Sequence, residues 1–173
     1  MHMLRMRQLH NSAADRLAVE TVILAASDYT LLVEGRMPSA TEDVDDFFLG
    51  LPPGRGLEDK HPFGFFVGQC LVGVADVVRG WNAPNKAIIG LLLFAPDARS
   101  AGNGREACSM IERYIMEWHG VDTIRIAVVD CNTRALSFWR RNGFVETGER
   151  RSKEFPYTGD RVVLEKRLRP AGE

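Results

Sequence analysis

The spacing of apolar residues changes several times along this chain, and each change marks an element. From Ala87 to Ala95 the apolar residues run together as AIIGLLLFA, too short a stretch to span a membrane. Pro96 and Asp97 break the run, and a loop of small residues follows, Arg99-Ser-Ala-Gly-Asn-Gly104. Ala107, Ile111, Tyr114, Ile115 and Trp118 then recur at helical spacing. They form one face of an amphipathic helix, with Arg105, Glu106, Glu112, Arg113 and Glu117 on the rest. The pattern predicts a buried strand, a glycine-containing loop and a helix N-terminus.

The rest of the chain is organised around this unit. Met3 to Leu9 reads as a first strand. Asn11 or Ser12 can cap a helix carrying Leu17, Ile23, Leu24, Leu31 and Leu32, which Gly35 and Pro38 end. Ser39-x-x-Glu42 has the form of a capping box and predicts a short helix through Phe47, Phe48 and Leu49. Leu51 to Pro62 is a Pro- and Gly-rich loop. Strands are predicted at Phe63–Gly68 and Leu71–Arg79, with a turn at Gln69 and Cys70, and a longer turn over Gly80–Asn85 leads into the Ile88 strand. Three strands joined by turns predict an antiparallel meander. The long helix closes at Gly120. Thr123–Val129 is a strand expected to lie parallel to the Ile88 strand, as its neighbour or near neighbour. Asn132 caps a last helix ending at Asn142-Gly143, and Phe144–Arg151 and Arg161–Leu168 form a final strand pair. With no repeat and no linker, residues 1–173 are expected to form a single domain.

Composition narrows the function. Hydrophobic residues make up 45% of the 173 residues and charged residues 26%, ordinary for a globular protein. A net charge of −1 gives no footprint for nucleic acid or an anionic membrane. The segment Met1–Ser12 lacks the apolar core of a signal peptide, and Cys70, Cys108 and Cys131 form no C-x-x-C pair. A reducing, cytoplasmic setting is therefore expected. His2, His10, His61 and His119 have no metal-ligand spacing, and no metal is predicted.

The loop before the long helix suits an anion. Unpaired N–H groups and the helix dipole favour negative charge there, Gly102 and Gly104 allow close backbone approach, and Arg99 and Arg105 flank the loop. The plainer alternative is a strand-to-helix turn with two solvated arginines. Gly102-x-Gly104-x-x-Ala107 also fits the dinucleotide pattern, but it follows its strand too late and only one βαβ unit is evident. A P-loop is excluded because no Gly-Lys-Ser/Thr is present. Glu42, Asp43, Asp45 and Asp46 could form an acidic wall for a cationic amine, or simply favour the first turn of their helix.

Two motifs together resemble a family. Pro96-x-x-Arg99-x-x-Gly102-x-Gly104 is similar to the acetyl-CoA signature of the GNAT superfamily of N-acetyltransferases. Asn132-x-x-Ala135-x-x-Phe138-Trp139-x-x-x-Gly143-Phe144 resembles that family's later motif, with Trp139 where the family has Tyr. The likeness runs from about Phe63 to Leu168, the expected cofactor-binding core. The resemblance implies an α/β (α+β) fold: a mixed, mostly antiparallel sheet of about seven strands with a splayed parallel pair, flanked by about four helices. It implies acetyl-CoA as cofactor and direct transfer of the acetyl group, in a ternary complex, to an amine acceptor expected to be a small molecule. It also allows a homodimer, which is frequent in the family; the net charge gives no reason to expect a nucleic-acid or membrane partner. The backbone of Leu92 and Phe94 would pair with pantetheine and the acetyl carbonyl. Arg99, Gly102, Asn103, Gly104 and Arg105 would hold the pyrophosphate. Asn132, a helix cap in its own right, would reach the cofactor, as would Phe138.

Amine acetylation needs a base, donors at the carbonyl oxygen and a proton for sulfur. Asp76, within the apolar strand LVGVADVV, is the leading candidate for the base, since burial would raise a carboxylate's pKa towards neutrality; the plainer alternative places it on the solvent face or near the strand end. Glu34 and Asp130 are weaker candidates. For the acid, Trp139 holds the family position, but its indole is no proton source near neutral pH and equally suits core packing. Tyr157 or a water could serve instead. Cys131 lacks a recognisable base for covalent catalysis. A non-catalytic acyl-CoA-binding module of the same fold would share every cofactor residue and differ only in turnover.

Overall fold

The structure, a computed structural model, describes residues 3–168. The elements run β1 (Leu4–Gln8), α1 (Ala13–Ala25), α2 (Ser27–Glu34), α3 (Glu42–Leu49), β2 (Lys60–Val67), β3 (Cys70–Arg79), β4 (Lys86–Phe94), α4 (Asn103–Met116), β5 (Thr123–Val129), α5 (Thr133–Arg141), β6 (Val145–Arg151) and β7 (Arg161–Arg167). The strands form one seven-stranded sheet in the order β1-β2-β3-β4-β5-β7-β6. Every pairing is antiparallel except that of β4 with β5, as the crossover through α4 requires.

Two expectations about the helices change. The long first helix is two, so the described residues hold five helices rather than four. The break falls at Ala26, whose φ of −93° and ψ of 33° leave the helical region, and whose side chain is 0% exposed. Its N–H still donates to Val22 O, and the chain restarts as α2 at Ser27. No Gly or Pro marks this bend, so tertiary packing decided it. The second change is at α3. Ser39 Oγ accepts from Glu42 N at 3.1 Å as a capping box predicts, but the reciprocal carboxylate on Ser39 N is Asp43, at 2.6 Å, not Glu42.

The start of α1 is tied to β1. Ser12 Oγ accepts from Asp15 N at 3.3 Å, and the buried Asp15 carboxylate accepts from Arg7 at 2.8 Å and from His10 N at 2.8 Å. The Arg7 hydrogen bond, with the His10 amide, holds the Asp15 carboxyl below its usual range despite its burial. A depressed carboxylate adds stability above its ordinary pKa and loses it as pH falls through the folded value. Asp15→Asn should therefore cost about 1–2 kcal/mol at pH 7. Paired denaturant titrations at pH 7 and pH 2 check this, with the difference smaller at the acid end.

The sheet carries a core on each face. On one side, Phe63, Phe65, Ala75, Val77, Ile89 and Phe94 pack with α4 and α5 through Ala107, Ile111, Ile115 and Leu136. On the other, Leu9, Val74 and Leu93 pack under α1 and α3 with Val19, Val22, Val44 and Phe47. A β-bulge at Gly90 governs β4. The register shifts there, Asp76 pairing with Leu91 and Val77 with Ile89. An extra residue reverses which face the side chains meet. Ala87 and Ile89 thus enter the α4–α5 core, whereas Leu91 and Leu93 turn to the α1–α3 side.

Candidate active site

The parallel pair opens into a cleft. β4 and β5 are paired only at Lys86–Ile88 with Thr123–Arg125, and beyond Ile88 the two strands part. Ala95 N donates to Val72 O on β3, so strand alternation turns the backbone groups of Phe94 and Leu92 the other way, into the gap. Phe94 O already accepts from Arg99 Nε at 3.0 Å.

The loop after β4 ends at the N-terminus of α4. Gly102 is its N-cap, at φ 80°, a conformation few side chains tolerate, and no side chain caps the helix. The first intrahelical bond runs from Glu106 N to Gly102 O, so the amides before it have no helical partner. Asn103 Nδ2 donates to Ala98 O at 2.9 Å and holds the loop shut behind the helix. A side chain at Gly104 would bring its Cβ within 3.1 Å of the Phe138 ring, so this glycine lets α4 and α5 pack closely. Arg105 is exposed beside the turn. Free amides, an uncapped helix and open space over Gly102 together fit a phosphate-bearing cofactor.

Arg99 takes a more constrained place than its sequence position implies. Besides Phe94 O, its guanidinium holds both oxygens of Asp28 on α2, at 2.5 and 2.9 Å. That hydrogen bond keeps the Asp28 carboxyl below its usual range.

On the α1–α3 face lies a cavity of about 110 Å³, lined by Tyr29, Glu34, Asp43, Asp46, Asp76 and Tyr157 together with Gly90, Leu91 and Leu93. Asp76 reaches it from β3 beside the bulge. Burial pushes its carboxyl up to about 6, against the pull of the Lys60 ammonium 2.9 Å away, and Asp46 raises it further. Burial also raises Glu34, whose Oε2 lies 2.6 Å from Arg36 without hydrogen-bond alignment. Burial disfavours the Asp43 carboxylate too, but the Arg36 hydrogen bonds and the Ser39 amide outweigh it and leave Asp43 lowered. Tyr29 is driven up by burial, with Tyr157 and Glu34 adding to the effect. Arg161 covers the Tyr157 ring at 4.3 Å.

Residues 26–144 match the sequence pattern of the Acetyltransferase (GNAT) family. The chain belongs to the GNAT acetyltransferase family. No relative among curated proteins matches by sequence. Solved GNAT structures resemble it along nearly their whole length. An acetyltransferase from Thermus thermophilus superposes with a TM-score of 0.73 at 24% identity, covering 97% of this chain and 100% of its own. The PaiA N-acetyltransferase of Thermoplasma acidophilum, solved with coenzyme A, gives 0.68 at 17% identity, with 96% and 99% covered. Spermidine N-acetyltransferase of Vibrio cholerae, solved with CoA and spermine, gives 0.71 at 17% identity, with 95% of each chain covered. At these identities the likeness establishes the fold.

Within this GNAT domain the structure sorts the residues singled out from the sequence. Leu92, Phe94, Arg99, Gly102, Asn103, Gly104, Arg105 and Phe138 gather around the cleft and the α4 N-terminus, while Asp76 and Tyr157 meet in the cavity on the other face of β4. Trp139 joins neither group. It is 7% exposed and packs edge-to-face on Phe138 and Phe144 in the α4–α5 core, the packing role that sequence offered beside the catalytic one. Asn132 Oδ1 accepts from Ala135 N at 3.2 Å and caps α5. Cys131 is exposed near Thr158 and Leu32 O. Of the acidic residues opening α3, Asp43 and Asp46 line the cavity, but Asp45 faces away and pairs with Arg16.

Sequence reasoning missed Tyr29 and Lys60. The apolar pattern leaves Lys60 in the loop, because β2 starts three residues earlier than its apolar run. A signal existed: a carboxylate inside an apolar strand demands a counter-charge, and the hairpin register puts Pro62 opposite Asp76, with Lys60 two residues along.

Proposed function

We propose that the protein is an acetyl-CoA-dependent N-acetyltransferase that acetylates a small cationic amine within a ternary complex. The acidic cavity carries this reading. Glu34, Asp43, Asp46 and Asp76 line it, while Arg36 and Lys60 are the cations paired to this group among the described residues. The excess of carboxylate favours a positively charged acceptor. The amine-bound Vibrio cholerae relative is consistent with such an acceptor on this fold.

Each residue then has a task. The free amides from Gly102 to Arg105, with Arg99, hold the cofactor phosphates. The gap-facing backbone of Leu92 and Phe94 orients the rest of the cofactor, with the Phe94 amide available to a developing oxyanion. Asn132 and Phe138 close the cofactor's side of the cleft. Acetyl-CoA, when bound, supplies the carbonyl carbon that the amine attacks and a thiolate leaving group, so that an N–C bond forms as the C–S bond breaks. Asp76 takes the ammonium proton, directly or through water, and Tyr157 or a water passes a proton to the departing sulfur. A carboxylate titrating near 6 is ionised at neutral pH and remains basic enough for that transfer.

Calorimetric titration with acetyl-CoA, with NAD as control, tests the cofactor, and turnover with a panel of mono-, di- and polyamines tests the chemistry. We expect micromolar acetyl-CoA binding, none for NAD, and turnover of at least one cationic amine. Asp46→Asn should raise the acceptor KM about tenfold with kcat little changed, the mark of lost uniform binding. Absence of acetyl-CoA binding would overturn the cofactor assignment. Tight binding without turnover across the panel would make the chain an acyl-CoA-binding module instead.

A further inference from the structure

Lys60 stands out among the charged side chains. It is 1% exposed, at the start of β2. Its Nζ donates to two acceptors: Gly50 O, at 2.6 Å, just past the end of α3, and Asp76 Oδ1, at 2.9 Å. A buried ammonium is costly unless paired and hydrogen-bonded, and here its partners are a carboxylate lining the cavity and the helix that carries Asp43 and Asp46.

The two oxygens of Asp76 are thereby made unequal. Oδ1 is held by Lys60. Oδ2 lies over Gly90, the bulge residue of β4, where a Cβ would approach it to 3.3 Å. The missing side chain leaves Oδ2 open towards the cavity.

We propose that Lys60 is a positioning residue for Asp76, anchoring Oδ1 so that Oδ2 faces the cavity and keeping the carboxylate in its charged form at neutral pH. This rests on the reading of Asp76 as the base. The other ionisable groups facing Asp76 oppose ionisation or are already paired. Asp46 from α3 repels it, Asp43 and Glu34 are engaged by Arg36, and Tyr29 and Tyr157 are phenols. Lys60 is the one cation in contact with Asp76 among the described residues, and without it burial and Asp46 both act to keep the carboxyl protonated.

The test is a carbon-13 NMR titration of the aspartate carboxyls in the ligand-free protein, with the Asp76 signal assigned by its loss in Asp76→Asn. In wild type the signal should titrate near 6. In Lys60→Gln, which retains a hydrogen-bond donor but no charge, the midpoint should rise by about one pH unit or more, a tenfold or greater fall in the ratio of ionised to protonated carboxyl at a given pH. Lys60→Arg should bring it back towards wild type. A midpoint that is unchanged or lower in Lys60→Gln overturns the proposal. Should Lys60→Gln fail to fold, Lys60→Arg and Lys60→Met decide it by the same reading: a rise in Lys60→Met absent from Lys60→Arg supports the proposal, and equal midpoints overturn it. The base assignment has its own test in the pH–rate profile of Asp76→Asn, so either idea can fail alone.

Discussion

Asp76→Asn should lower the rate of amine acetylation by about 10²–10⁴-fold, the usual worth of a general base, while acetyl-CoA affinity should stay within about twofold of wild type. The substitution is nearly isosteric, so the β3–β4 register and the bulge at Gly90 survive, and an amide cannot take the ammonium proton. The cofactor loop lies beyond the end of β4, and Asp76 touches none of it, so binding and chemistry should separate cleanly. The pH dependence follows from the raised carboxyl. If Asp76 is the base, wild-type activity should fall as pH drops through about 6, where the carboxylate takes up its proton, and this acid limb should disappear in the variant. Steady-state rates from pH 5 to pH 9 with one acceptor would show it, and an undiminished rate with the limb intact would remove Asp76 from the chemistry. The same burial acts against the fold. A carboxyl raised from 3.8 to about 6 binds its proton more tightly folded than unfolded, so its ionisation weakens the protein as pH rises across that interval.

The second large effect concerns Arg99. Arg99→Ala should weaken acetyl-CoA about 10–150-fold, the equivalent of about 1.5–3 kcal/mol for charge-assisted hydrogen bonds. This guanidinium is paired with Asp28, so a phosphate would have to displace a carboxylate to reach it. Asp28 is 62% exposed, and the cost of releasing it is small in water. Asp28→Asn should thus move affinity the opposite way, tightening acetyl-CoA by less than about tenfold. Calorimetry on the two single variants reads both signs. If both bind as wild type does, Arg99 is a strap between α2 and the β4 loop and no part of the phosphate site.

Much of this was written in the chain. The run from Ala87 to Ala95 could only be a buried strand, and the helical face from Ala107 to Trp118 fixed the crossover that makes β4 and β5 parallel. Asp76 stood out because a carboxylate in a run of valines has to be either solvated or used. What sequence could not carry was anything decided between elements. The bend at Ala26 depends on the packing beneath it, not on a helix breaker. The phase reversal at Gly90, which sends Leu91 and Leu93 to the opposite face from Ile89, looks in sequence like one small residue in an apolar run. Arg99 could be read from sequence as a candidate phosphate ligand but not as the partner of Asp28, because 71 residues separate them along the chain. Trp139 was open to both readings until its neighbours Phe138 and Phe144 were seen around it.

The strand pair that frames the cleft is joined at one end only. That closed end is bolted by charge: Lys86 and Arg125 share Glu165 at 2.5 and 3.1 Å, Arg125 also grips Glu149 at 2.7 Å, and Asn85 bonds Asp122 across the seam at 3.0 Å. Two arms fixed at a single pivot form a wedge, and a small rotation at the pivot becomes a larger displacement at the mouth. On the proposed function, the room open to an acyl group would therefore depend partly on a cluster of ion pairs at the closed end of this strand pair, none of which lines the acidic cavity. Variation at Glu165 or Arg125 would then retune the bore of the cleft without touching a residue of the proposed site.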